Sequence, residues 1–293
     1  MRFLDNVLQD FIDRAPEGME RARYSAMRER SVGLGVMGFH SFLQSLSVPF
    51  ESVMAKVWNK RMFAHIRAGA DAASRRLAQE RGPCPDAAEY GIMERFSHKI
   101  AIAPTASISI IAGNASPGIE PIAANVFLQK TLSGSFTVRN RHLQKLLAER
   151  GQDNEEVWSA ITLNKGSVRN LDFLTEDEKA VYKTAFELDQ RWVVEHAADR
   201  SAFICQSQSV NVFLPANVHK RDLHQIHMLA WKRGVKSLYY CRSLSIQRAD
   251  AVSEKAIRPD EIVQRPANDT APELPLAVAA KAATDYEECL ACQ

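Results

Sequence analysis

Three groups of residues in this chain have the types and spacing to do chemistry. Near the C-terminus, Cys289 and Cys292 form a CxxC pair within "DYEECLACQ", the spacing at which two thiols can exchange with a disulfide. Tyr239 and Tyr240 are adjacent phenols in "LYYC". The run "APTASISIIAGNASPGIEP" passes from an apolar stretch through Pro104 into Thr105, Ala106, Ser107, Ile108 and Ser109, small and hydroxyl residues with free backbone N–H groups at a helix start. Such a turn binds a phosphate without a lysine, and it serves equally well as a plain N-cap with no ligand. Glu120, in "GIEP", has no assigned role.

Two further groups fail a test of context. "GLGVMG" (Gly33, Gly35, Gly38) is a literal GxGxxG, but charged, helix-like residues precede it and no acidic residue follows at the required distance. Close backbone packing of small residues in a helix is the expectation there, rather than a dinucleotide site. His219, His224 and His227 share one predicted helix without a Cys or carboxylate at ligand spacing, so solvated or capping histidines are expected and no metal is assigned. Cys84, Cys205 and Cys241 stand alone and are read as buried, inert thiols.

The elements that must position these groups follow from hydrophobic periodicity. Residues 1 to about 95 read as helical, most clearly over 57–82, where Gly82-Pro83 supplies the stop. "HKIAIAPT" (98–105) reads as a short buried strand, and helices return at 141–150, 153–162 and 176–200, the last either interrupted or continuous. "SQSVNVFLP" (207–215) and "GVKSLYYC" (234–241) read as strands flanking a helix over 217–234. Strand, helix, strand in this order is the pattern of a parallel sheet with crossover helices, so the fold class is α/β with more helix than strand. The tyrosines pose a geometric problem: neighbouring strand residues point to opposite faces, so both line one site only where the strand ends or twists. Without such a feature they are amphipathic core residues.

Beyond about residue 248 the periodicity stops. Pro259, Pro266, Pro272 and Pro275 lie among Ala, Asp and Glu, and 249–293 reads as a flexible tail carrying the CxxC pair, attached to a folded body over 1–248. A flexible chain running from Cys241 to Cys289 has a typical reach of about 40 Å, enough to visit both a buried site and an external reductant.

The 293 residues are 46% hydrophobic and 25% charged, with a net charge of +2, an ordinary globular composition with no field pointing to nucleic acid or a membrane surface. No apolar stretch is long enough to span a bilayer, and five widely spaced cysteines make a poor disulfide framework, so a cytoplasmic protein is expected.

Together, "RSVGLGVMGFHSFL", "IAPTASISIIAGNASPGIEPIAANVFLQKTLSG", "SQSVNVFLP", "GVKSLYYCRS" and the C-terminal cysteine pair resemble, in this order, the catalytic large subunit of class I ribonucleotide reductase. The resemblance implies the C-terminal half of a ten-stranded α/β barrel. It implies that Thr105, Ala106, Ser107 and Ile108 hold the diphosphate of a ribonucleoside diphosphate. Tyr240 and Tyr239 would relay an oxidising equivalent from the small subunit, which carries a dinuclear metal/radical cofactor, to an active-site cysteine. Cys289 and Cys292 would reduce the active-site disulfide and be reduced in turn by thioredoxin or glutaredoxin. This chain itself needs no cofactor. The family's radical cysteine, its neighbouring Asn and Glu, its other substrate-reducing cysteines and its effector region all precede the matched segment. The chain is therefore expected to be the C-terminal half of a split large subunit, inactive until joined by the N-terminal half and the small subunit. A non-catalytic remnant or regulatory fragment that binds the small subunit or thioredoxin is the alternative, and a dehydrogenase built on Gly33, Gly35 and Gly38 a distant third.

Overall fold

The computed structural model describes residues 1–131 and 134–244. Helices fill the first part: α1 (Arg2–Arg14), α2 (Glu20–Glu29), α3 (Phe39–Ser45), α4 (Val53–Arg81) and the short α5 (Pro85–Ala88). The longest, α4, buries Ala55, Asn59, Phe63, Ala70, Ser74 and Leu77, one stripe at three- and four-residue spacing. It starts earlier than periodicity predicts because the Ser52 side chain accepts from the Ala55 N–H and caps it. It stops at Gly82, whose φ of +85° only glycine adopts freely, ahead of Pro83. The fully buried Asp5 ties α1 to this helix and beyond by accepting from Arg30, Arg81 and Arg95.

The strands are short, but their hydrogen bonds place four extended segments side by side. The Leu34 N–H donates to the Lys99 carbonyl and the Ala101 N–H to Leu34, the parallel bridge Leu34↔Ile100. A second parallel bridge, Ile102↔Gln208, carries the sheet on to the third segment. The Tyr239 N–H donates to Val210 and the Val212 N–H to Tyr240, joining the fourth. The predicted strand over 98–105 is thus two bridges, ended by Pro104, which has no N–H to give.

GLGVMG is part of this sheet rather than of a helix. A Cβ at Gly35 would lie 2.8 Å from the Ala101 carbonyl oxygen and one at Gly33 3.3 Å from the Ala101 side chain. The glycines let two extended backbones approach each other, and Gly38 (φ +80°) turns the chain into α3.

Beyond Pro104 lie α6 (Ala106–Ile111), the antiparallel hairpin of β1 (Val126–Thr131) and β2 (Gly134–Arg139), then α7 (Arg141–Glu149), α8 (Glu155–Leu163), α9 (Glu176–Val181) and α10 (Gln190–Ser201). The helical run expected over 176–200 is interrupted. α9 opens on a Thr175–Glu178 capping box, and α10 on the Asp189 side chain. Leu143, Leu147, Trp158, Ile161 and Tyr182 form a core under the hairpin, while Phe39, Leu43, Phe50, Phe63, Ile100, Ile102 and Val210 form the main core between sheet and helices.

The chain then runs through β3 (Val212–Pro215), α11 (Lys220–Lys232) and β4 (Cys241–Leu244), and β4 pairs with β3. β4 begins later than the predicted 234–241. Lys236 Nζ turns back to the carbonyls of Cys205 and Gln206, and Ser237 pairs with Ser207 through hydroxyls, so this stretch follows its neighbour by side chains before the ladder forms. Among the described residues no helix is long and apolar enough to cross a membrane.

Candidate functional site

The turn after Pro104 is built so that its N–H groups stay open. Thr105 is the N-cap of α6 but sits in the left-handed region (φ +53°) with no cap bond to the helix. Its hydroxyl oxygen instead accepts from the Gly118 N–H at 2.8 Å. The N–H groups of Ala106, Ser107 and Ile108 therefore have no protein partner among the described residues. Ser107 and Ile108 are exposed, whereas Ser109 is buried and donates to the Ala106 carbonyl. A plain capped helix start would not leave these donors facing outward. Gly118 can lie this close to the turn because it lacks a side chain: a Cβ there would meet the Ala103 carbonyl oxygen at 3.0 Å.

Tyr239 and Tyr240 precede β4, and this resolves the problem of adjacent strand residues facing apart. Their ring centroids lie 4.1 Å apart at an interplanar angle of 50°. At 44% and 42% exposure they are not core residues. The guanidinium of Arg242 stands 5.7 Å from the centre of the Tyr240 ring, at the distance of a cation–π contact.

A buried polar chain joins this pair to the loop that holds the open turn. The Tyr240 N–H donates to Asn211 Oδ1 at 2.9 Å, and Asn211 Nδ2 donates to Glu120 Oε1. Asn211 is fully buried and Glu120 nearly so. Burial pushes the Glu120 carboxyl up to about 7, against the opposing pull of the Arg242 guanidinium and the Asn211 amide. Asn211 and Arg242 escaped the sequence reading, and Glu120 had no role there. The available signal was a polar residue enclosed by apolar ones, in "GIEPI" and "SVNVF", which marks a buried group in need of a partner.

The remaining candidates lie elsewhere. His219 is the N-cap of α11 through Nδ1, His227 bonds the Leu223 carbonyl, and His224 is exposed on the same helix. No group of three or more metal-ligating side chains gathers among the described residues. Cys84 is buried as expected, whereas Cys205 is only half-buried, contrary to the expectation of burial, and uses its sulfur to accept from the Lys99 and Ile100 N–H groups. Cys241 is exposed, contrary to the expectation of burial. It opens β4, where the alternating register turns its side chain outward. Cys289 and Cys292 lie outside the described residues.

Comparison with known proteins gives the family. The profile "Ribonucleotide reductase, barrel domain" matches residues 1–90 and 86–241. The ribonucleoside-diphosphate reductase large subunit of Invertebrate iridescent virus 6 is 49% identical over 257 residues, which cover 86% of this chain and 27% of that protein. The putative large subunit of Frog virus 3 is 40% identical over 264 residues, 89% of this chain and 46% of its own length. Among solved structures, the Actinobacillus ureae class Id ribonucleotide reductase alpha subunit superposes with a TM-score of 0.76 at 38% identity, covering 83% of this chain and 45% of that one. The chain thus spans less than half the length of each of these relatives. The helix-rich α/β fold, the order of the motifs and these matches agree: the chain belongs to the ribonucleotide reductase large-subunit family and carries part of its barrel domain.

Proposed function

We propose that this chain forms part of the barrel domain of a class I ribonucleotide reductase large subunit, which in the assembled enzyme reduces ribonucleoside diphosphates to deoxyribonucleoside diphosphates for DNA synthesis. The observation that carries the reading is the close, tilted and half-exposed Tyr239–Tyr240 ring pair, tied by hydrogen bonds to the loop that flanks an open anion-binding turn.

The residues divide the work as follows. The N–H groups of Ala106, Ser107 and Ile108, with the Ser107 hydroxyl, hold the substrate diphosphate. They supply donors and the positive end of a helix without a cation that would have to be desolvated. Thr105 shapes the turn by engaging Gly118. The small subunit, whose dinuclear metal/radical cofactor the family resemblance implies, takes one electron and one proton from the Tyr240 O–H. Tyr240 recovers both from Tyr239, and Tyr239 from the thiol of a cysteine elsewhere in the large subunit. Contact between the two rings keeps the relay short. In the net reaction a dithiol gives two electrons and two protons, the substrate loses its 2′ hydroxyl as water, and a disulfide is left. Cys289 and Cys292 return that disulfide to thiols by exchange, becoming a disulfide that thioredoxin or glutaredoxin reduces. Placement in the cytoplasm follows from the need for this reducing supply.

The test is reconstitution. The chain, supplied with the remaining part of a large subunit and with the small subunit, is expected to co-purify with both and to reduce a nucleoside diphosphate, whereas the chain alone does not. Full assembly without reduction would reject the catalytic reading in favour of a non-catalytic fragment.

A further inference from the structure

The reaction proposed above leaves Glu120 without a task, yet the fold goes to some expense to bury it. A carboxylate at 7% exposure is costly unless it is paired, and its partners here are the groups that hold Tyr240. Asn211 is itself fully buried between its two partners. Because a carboxylate only accepts, the Asn211 NH2 must face Glu120 and its carbonyl oxygen must face the Tyr240 N–H. Glu120 thereby selects the amide orientation that anchors the Tyr240 backbone. From the other side, Arg242 lies over the Tyr240 ring and within the field of Glu120. Backbone and ring of Tyr240 are each one group away from the same carboxylate. Glu120 is itself fixed in the loop of the phosphate turn, its N–H donating to Pro117 and the Gly118 N–H to Thr105.

We propose that Glu120 is a positioning residue that holds the Tyr239–Tyr240 ring pair in place through Asn211 and Arg242. Its functional meaning rests on the radical-path reading; its geometry does not. Arg242, approaching from β4, is the charged group that acts on Glu120, while Asn211, which leads into β3, faces it as a neutral donor. Loss of the carboxylate charge near neutral pH weakens the hold on both, so the ring pair senses the state of Glu120.

Nuclear magnetic resonance on the full chain labelled with ring-13C tyrosine reads this directly, with Tyr239→Phe and Tyr240→Phe assigning the two signals. In the unsubstituted chain both signals are expected to shift with a midpoint near pH 7. Glu120→Gln, which keeps the shape and an acceptor but never carries the charge, should hold both signals at the low-pH position of the unsubstituted chain and abolish that titration. Glu120→Ala should move both toward the shifts of solvent-exposed tyrosines. Signals that do not titrate in the unsubstituted chain, that titrate equally in Glu120→Gln, or that ignore Glu120→Ala would overturn the proposal. Should Glu120→Ala fail to fold, the Glu120→Gln comparison decides alone. Turnover retained by the Tyr→Phe variants in the assembled enzyme would instead remove the radical path and leave the positioning result standing.

Discussion

Thr105 accepts the backbone N–H of Gly118 at 2.8 Å instead of capping its own helix. The consequence is a helix start with open donors beside an exposed Ser107. Ser107→Ala is therefore expected to weaken nucleoside-diphosphate affinity in the assembled enzyme by about 1–2 kcal/mol, the worth of one hydrogen bond to a charged group. Equilibrium binding measures it. Unchanged affinity would leave the turn without a phosphate.

The tail dithiol calls for a kinetic test. Cys289→Ser or Cys292→Ser should permit about one turnover per site and then stall with thioredoxin and its reductase, because the disulfide left by the reaction is no longer re-reduced. A small soluble dithiol should restore multiple turnovers. Continuous turnover with thioredoxin alone would show that the tail is dispensable.

Asp5 is fully buried and accepts from three arginines. Asp5→Asn removes the single negative charge that Arg30, Arg81 and Arg95 share, and breaking a buried pair costs about 3–5 kcal/mol. Denaturant unfolding should report a loss of that order. A loss below about 1 kcal/mol would mean that the guanidinium groups find water or other acceptors.

Much of this was legible before the fold was known, and the exceptions share a cause. α4 and α11 follow their apolar stripes to within a few residues because each buries residues at three- or four-residue spacing. The GLGVMG glycines were correctly read as close packing, yet they lie in an extended segment, since the strand they approach is 66 residues away at Ala101, counted from Gly35. The hairpin of β1 and β2 went unread although only Leu132 and Ser133 lie between two runs rich in aliphatic and aromatic residues. The link from Glu120 to Asn211 spans 91 residues and leaves no local periodicity to detect. Local chemistry was readable, and contacts between distant segments were not.

Acid should unfold the chain by a route its buried histidines set. Burial lowers His40 to about 3 and His196 to about 4, so both stay neutral in the fold while the unfolded forms take protons near the usual value of 6.5. Their contribution to stability is complete above about pH 6.5 and declines as pH falls below it. Glu120, raised to about 7, has the opposite sign: its contribution is present below 4.5 and declines as pH rises toward 7. Two histidines outweigh one carboxyl, so the denaturant midpoint should drop between about pH 6.5 and 4.5 and drop less in His40→Gln. A midpoint that rises over that window would contradict these assignments.

The radical path is the central claim, and one substitution isolates it. Tyr240→Phe in the reconstituted complex removes only the phenolic hydroxyl and keeps the ring against Tyr239 and Arg242. Nucleoside-diphosphate turnover, measured beside substrate binding in the same preparation, should vanish while binding stays within about twofold. Turnover retained at the unsubstituted rate would contradict the path.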